Sequence, residues 1–319
     1  MSNILIVGAA GRMGKWFFEY FINLRNEQSE DQYLSKKTIK VEKIFLVDFN
    51  RIEYFNKSEP SNVYASKNIT KFIEDSNIII LCTPINETLK IFDKYATKLK
   101  PGTVTIEISS VKNPIYKHVS NISKNYGYLK ILCIHPMFGP GAQVSSSKNI
   151  IMHVPISLSS SSRESKILSK LFPKFKRILI DTPEKHDTLV AILVSLIYFI
   201  NLVFSKLLIE ISAKKTLKNE KDLLKLLKQL SGSSYRIQSL LSESILTDDP
   251  PLFLNLFLGS DKSIDIIKKY GKIYEKVAMK VEQRDEKYLQ NLVVNTKKVI
   301  KNQIDIDNSY DLLYQFLNN

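Results

Sequence analysis

Four histidines are the only side chains in this 319-residue chain whose ordinary pKa lies close to neutrality. One of them stands where a base would be useful. His135 closes the apolar run ILCIHP and is followed by the proline- and glycine-rich stretch MFGPG. If ILCI is a buried strand, the imidazole lies at its C-terminal end, on the edge of an α/β sheet where reactive groups collect. An imidazole there can take a proton from a hydroxyl group while hydride leaves the carbon that bears it. Ser109, Ser110 and Lys112 follow another apolar run, TVTIEI, and are expected at a helix start on the same edge, with Ser109 as a capping residue and Lys112 as a substrate-binding candidate. His153, inside KNIIMHVP, reads as a packed histidine, and His118 as one exposed on a helix. His186 is the next candidate for the base should His135 merely end its strand.

A second group of residues suggests what would receive the hydride. Gly8, Gly11 and Gly14 come directly after NILIV and lead into the helical pattern RMGKWFFEYFINL. The spacing GxxGxxG is a variant of the dinucleotide fingerprint. Gly11 would let the backbone approach a pyrophosphate, Gly14 would let helix pack on strand, and the helix N-terminus would offer free N–H groups to the anion. Gly8, Ala10, Gly11, Arg12, Met13 and Gly14 are therefore the expected phosphate loop. A second run, KIFLVD, ends in Asp48, an acid placed to accept from a ribose 2′-hydroxyl and to repel a 2′-phosphate. That favours NAD over NADP. Thr83 and Pro84, at the end of IIILCTP, would flank the cofactor. No metal site is expected.

The elements that must hold these residues follow from the turn-forming residues. Nine of the eleven prolines lie between Pro60 and Pro183, and afterwards only the pair Pro250-Pro251 remains. The early part alternates short Ile/Val/Leu runs with helical stretches: SNILIVG, VEKIFLVD, SNIIILCTP, TVTIEIS, LKILCIHP, KNIIMHVP and RILIDTP. Such runs read as buried, mostly parallel strands. The later part is helical pattern throughout. The expected architecture is an α/β Rossmann-type, doubly wound domain over 1–182, then an all-helical substrate and dimerisation domain over 183–319. Thr182-Pro183-Glu184 marks the boundary as a helix start. The serine run SLSSSSRES reads as a loop feeding a helix, with Ser161 and Glu164 at capping-box spacing. The polar stretch 26–38 reads as a surface loop or an extension of the first helix.

Composition narrows the partners. The net charge is +14, and the first 182 residues carry most of it, with 26 Lys and Arg against 15 Asp and Glu. The lysines are scattered, with no basic cluster and no aromatic interleaving, which argues against nucleic acid and fits a general pull on small anions. Cys82 and Cys133 lie in apolar runs and read as reduced core thiols of a cytoplasmic protein. The first residues lack the basic segment of a signal peptide. Thr188 to Ser205 contains no charged residue, but His186, Asp187 and Lys206 bracket it and Ser195 and Asn201 interrupt it. It is expected to be a buried helix rather than a membrane span, and the helix over 188–213 to form the core of a homodimer.

Five segments in order, GAAGRMGKWF, SSVK (109–112), HPMFGP (135–140), TPEKHD (182–187) and SGSSYRIQ (231–238), make the chain resemble the prephenate dehydrogenases, within the 6-phosphogluconate-dehydrogenase-like superfamily. The resemblance implies oxidative decarboxylation of prephenate to 4-hydroxyphenylpyruvate, in tyrosine biosynthesis, with NAD as hydride acceptor. By the same resemblance His135 matches the histidine that binds and helps deprotonate the substrate 4-hydroxyl. Ser110 matches the serine that orients them, and Arg236 the arginine that holds a substrate carboxylate. A planar guanidinium suits a dicarboxylate. Two departures stand out. The family's long helix carries a substrate-contacting histidine where this chain has SLIYFIN, which makes Tyr198 the substrate-facing candidate there, and Glu107 stands where many relatives have Asp. Arogenate, another hydroxy acid, or a catalytically silent NAD-binding homologue are the alternatives these departures keep open.

Overall fold

The computed structural model describes residues 1–31, 36–55, 61–213 and 223–318. These form two compact units, Met1–Val190 and Ala191–Asn319. The division comes one short helix later than Thr182-Pro183, because Pro183–Val190 packs against the helix Asn113–Asn125 and a strand of the sheet.

The first unit is built on eight strands: β1 Ser2–Val7, β2 Val41–Val47, β3 Val63–Ser66, β4 Ile78–Leu81, β5 Val104–Glu107, β6 Lys130–Pro136, β7 Ile150–Val154 and β8 Lys176–Leu179. Their order across the sheet is β3-β2-β1-β4-β5-β6-β7-β8, and only the β6–β7 pair is antiparallel. All seven apolar runs became strands. The eighth, β3, has the sequence VYAS and is only partly covered, so it lacks the apolar run that marks the others. Val, Ile and Leu dominate because both faces of the sheet are covered, one by an apolar cluster around Trp16, Phe17 and Phe172 and the other by one around Phe72, Phe92 and Ile115. After β1 the chain winds to one side, and after β3 it crosses to the other. The C-terminal ends of β1 and β4 therefore flank a switch point, where α/β sheets bind ligands.

The first helix runs from Arg12 to Glu30, so the polar stretch begins as a helix extension; residues 32–35 within it lie outside the described residues. The helix Ser161–Leu171 follows the serine run as expected. Glu164, however, closes no capping box. It is buried and accepts from the Ile156 backbone N–H and from His153, 2.7 Å away.

Among its described residues the second unit contains helices and no strand: Leu196–Ala213, Leu223–Gln229, Ser233–Leu246, Pro250–Leu258, Asp261–Glu282, Glu286–Lys301 and Ser309–Asn318. It opens on a π-helical turn, Ala191–Ser195. The polar interruptions of the apolar segment face other helices of this unit. Ser195 lies 3.0 Å from Ser263, and Asn201 Oδ1 accepts from Gln238 at 2.8 Å and Ser242 at 2.7 Å. The apolar residues do not fare as expected. Pro183–Ser212 is long and apolar enough to cross a membrane, and only 22% of its most apolar stretch is buried within the chain. Ile192, Leu193, Val203 and Leu207 are about half exposed. The chain itself thus leaves most of this stretch uncovered.

Candidate active site

The glycine turn is a consequence of close packing. Gly8 has φ +82°, and a Cβ on it would lie 2.4 Å from the Cys82 carbonyl oxygen, where β1 and β4 run side by side. A Cβ on Gly14 would lie 2.2 Å from the Gly8 carbonyl oxygen, so this glycine lets the helix sit on the strand end. Gly11 caps the helix with extended backbone. Arg12, exposed, and Met13, packed against the core, form its first turn. The Ala10 N–H donates to Asp48 Oδ2 at 2.9 Å, and Asp48 Oδ1 accepts from the Asn50 N–H at 2.8 Å. Asp48 thus ties the end of β2 to the turn. Thr83 borders it, its methyl 3.2 Å from where a Gly8 Cβ would sit, and its hydroxyl is 2.8 Å from that of Thr88. Pro84 precedes the helix Ile85–Tyr95. Tyr54, which the sequence did not single out, donates to the Ala9 carbonyl at 2.6 Å. A crowded turn, a helix N-terminus that its Gly11 cap leaves without a side-chain cap, and an acid on the next strand suit a dinucleotide's pyrophosphate and ribose.

His135 lies on β6, opposite Met152 of β7, and is 6% exposed. The loop after it is pinned from the first helix: Phe138 packs on Trp16 with ring centroids 4.6 Å apart, and the Trp16 indole N–H donates to the Ala142 carbonyl at 2.7 Å. His135 Nδ1 lies 3.2 Å from His186 Nε2, and His186 Nδ1 lies 2.9 Å from Asp187 Oδ1. Asp187 also accepts the backbone N–H groups of Lys112, at 2.7 Å, and Asn113, at 2.9 Å. Burial, then the neighbouring His186 and Lys112, pushes His135 well below the ordinary imidazole range. His186 is lowered too, burial outweighing the opposing pull of Asp187.

The lysine of the SSVK segment is not where a substrate ligand would be. Lys112 is fully buried, and its ammonium donates to Glu107 Oε1 at 2.6 Å, the Ser109 carbonyl at 2.8 Å and the Ile134 carbonyl at 2.6 Å. All three donors are used inside the protein. The expectation of Lys112 as a substrate ligand is therefore corrected to a structural one: it cross-links β5, its following loop and β6. Ser109 is not a cap either. Its N–H donates to Glu107 Oε2 at 2.9 Å, and the helix Asn113–Asn125 is capped from a distance by Asp187. Ser110, partly exposed, leaves β5 beside the strand that ends in His135. His118 is partly exposed beside Asp93, and His153 is buried against Glu164.

In the second unit Arg236 is exposed on Ser233–Leu246 and pairs with no carboxylate among the described residues. Tyr198 donates to Asp248 Oδ2 at 2.7 Å and packs edge-on against Phe253. Sequence reasoning missed the coupling of His186 and Asp187 to His135. Its only signal was the pair His-Asp in TPEKHD, directly after a helix start.

Residues 32–182 match the family described as "Prephenate dehydrogenase, nucleotide-binding domain". A probable arogenate/prephenate dehydrogenase of Methanocaldococcus jannaschii is 24% identical over 196 residues, covering 61% of this chain and 40% of that protein. A prephenate dehydrogenase of Lactococcus lactis subsp. cremoris is 24% identical over 258 residues, 78% of this chain and 68% of the relative. The chain thus spans well under half the length of the archaeal relative it matches. Among solved structures, A. aeolicus prephenate dehydrogenase in complex with hydroxyphenyl propionate and NAD+ superposes with a TM-score of 0.67 at 18% identity, over 94% of this chain and 98% of the other. At that identity the likeness is one of fold.

Proposed function

We propose that the chain is a member of the prephenate dehydrogenase family, whose nucleotide-binding domain its residues 32–182 match, and that it is an NAD-dependent dehydrogenase that oxidatively decarboxylates prephenate, or the related arogenate. The observation that carries this reading is the position of His135, a buried imidazole on the sheet edge, one strand from Ser109-Ser110, in a unit with a dinucleotide turn.

NAD, when bound, supplies the hydride acceptor, and Asp48 is the residue to take its ribose hydroxyls. The protein's part is to bind, orient and hold one proton. The hydroxyl O–H breaks as an N–H bond forms on His135, while hydride leaves the ring carbon bearing that oxygen. The ring's bond to its carboxylate then breaks as CO₂ departs, its electron pair completes the aromatic ring, and the proton returns from His135 to the phenolate oxygen. Aromatisation drives the reaction, so positioning is the larger share of the work. Ser110 orients the hydroxyl, and Arg236, which pairs with no carboxylate among the described residues, offers a planar clamp to a substrate carboxylate. The half-covered helix over 188–213 joins two copies.

NADH absorbance with prephenate, arogenate and a small panel of hydroxy acids tests this. Turnover of prephenate or arogenate supports the reading and tells which of the two is the substrate. Saturable NAD binding without turnover of any of them overturns it in favour of a silent homologue.

A further inference from the structure

The residues behind His135 bear on which of its nitrogens can act. This rests on the reading of His135 as the base. Asp187 is 1% exposed and receives the backbone N–H groups of Lys112 and Asn113, at the N-terminus of a helix of 13 residues. Those donors and the helix end favour a carboxylate, which can only accept. Asp187 Oδ1 is also 2.9 Å from His186 Nδ1, so that nitrogen must carry the proton. A neutral His186 then presents a lone pair on Nε2, and this atom lies 3.2 Å from His135 Nδ1. His135 must donate there, from Nδ1, and its own lone pair is left on Nε2.

We infer that His186, anchored by Asp187, is a positioning residue that fixes His135 as the Nδ1–H tautomer and leaves Nε2 as the site that takes the substrate's proton. His186 is fully buried and packed in place, so the His135 ring is held as well as its tautomer. The other charged neighbours are Lys112 and Glu107, which pair 2.6 Å apart and make no hydrogen bond to either imidazole; the Lys112 charge adds to the burial that disfavours a proton on both, while Glu107 opposes it at His186. When His135 takes the proton on Nε2, its Nδ1–H still points at an acceptor, so the imidazolium forms without loss of a hydrogen bond. A protonated His186 would reverse the arrangement, turning Nε2 into a donor and forcing the His135 proton onto the wrong nitrogen. Burial lowers the His186 pKa and so favours its neutral form, and the Nδ1–H bond to Asp187 fixes which nitrogen carries the proton.

The test is the ¹⁵N spectrum of the imidazoles in the full chain, together with turnover of prephenate and of arogenate. With four histidines in all, His135→Asn assigns the His135 signals by their disappearance. In the wild type, His135 should show a protonated Nδ1 and a bare Nε2. His186→Leu removes the acceptor and should redistribute the His135 proton, lowering kcat by about 10²-fold or more with KM little changed. His186→Gln, whose amide oxygen can still accept from Nδ1, should keep the tautomer and stay within about tenfold of wild-type kcat. A wild-type His135 protonated on Nε2 overturns the inference, and so does a tautomer unmoved in His186→Leu. If the leucine variant does not fold, the wild-type and glutamine spectra still decide. A tautomer that shifts as expected with unaltered turnover supports the anchoring and overturns His135 as the base. An unmoved tautomer with an inactive His135→Asn does the reverse.

Discussion

The Glu107 carboxylate and the Lys112 ammonium meet at 2.6 Å with no exposed surface on either side chain. Glu107 leaves the end of β5, and Lys112 reaches back past Ser109 to the Ile134 carbonyl on β6, one residue before His135. The pair therefore sets the height of the two strand ends that carry Ser110 and His135. Removing one partner of a buried ion pair leaves the other unpaired, at a cost of about 3–5 kcal/mol. Lys112→Met is expected to lower stability in urea titration by that order. Glu107→Leu combined with Lys112→Met should recover part of the loss, because two matched apolar groups replace a charged pair. Equal stability of single and double variants would contradict this account.

A base works in its neutral form, and burial holds His135 well below the ordinary imidazole value. The acid limb of kcat/KM is therefore expected clearly below pH 6.5, the unperturbed value, rather than at it. His135→Asn keeps a hydrogen-bonding group but cannot take the proton, so kcat should fall by roughly 10²–10⁴ and the limb should vanish. KM should move little, because the lost interaction strengthens mainly in the transition state. A limb that persists in the asparagine variant would move the base elsewhere.

The strands, the glycine turn and the strand-end histidine were legible because each depends on local chemistry: buried parallel strands need unbroken apolar runs, and a βα turn this tight needs Gly8 and Gly14. What could not be read was the state of side chains whose partners come from distant segments. Lys112 looked like an anion ligand because a lysine at a loop has no other obvious purpose. Its three acceptors come from β5, its following loop and β6, and no spacing reveals them. His186 was legible only as a second candidate for the base, and its coupling to His135 and Asp187 was not, because the partners of this pair, His135 and two backbone amides, lie far away in sequence. The apolar character of the helix over 188–213 was legible, but composition says that a face is apolar and not what lies against it.

Asp48 is expected to carry most of the choice of cofactor. Its carboxylate already accepts from Ala10 and Asn50, which fixes it at the end of β2 with lone pairs to spare for a ribose. Asp48→Ser removes both an acceptor and a charge that would repel a 2′-phosphate, so the ratio of NADP to NAD use should rise. Kinetics with both cofactors at matched concentrations give the answer. A wild type that already prefers NADP would mean that Arg51, three residues beyond Asp48 and able to attract a 2′-phosphate, governs the ribose site.

The last prediction concerns the helix over 188–213. Ile192 is 47% exposed, Leu193 53%, Val203 49% and Leu207 50%, while Ser195 and Asn201 on the same helix are buried against other helices of their unit. Beside the exposed Lys206–Glu210 ion pair, the helix thus leaves these large apolar side chains uncovered while Ser195 and Asn201 are already satisfied, the pattern of a face that awaits an apolar partner. Among the described residues, this unit buries few large side chains of its own, Leu223, Ile245 and Leu256 among them, so its core needs material from outside the chain. A second copy supplies an identical face, and a two-fold arrangement lets each helix cover the other. Sedimentation of the wild type at micromolar concentration should give a dimer. Val203→Asp with Leu207→Asp should yield a species of half that mass, because a charge in the centre of an apolar interface is left unpaired. A wild type that remains monomeric overturns the dimer, and one that partitions into lipid vesicles would make the same helix a membrane segment.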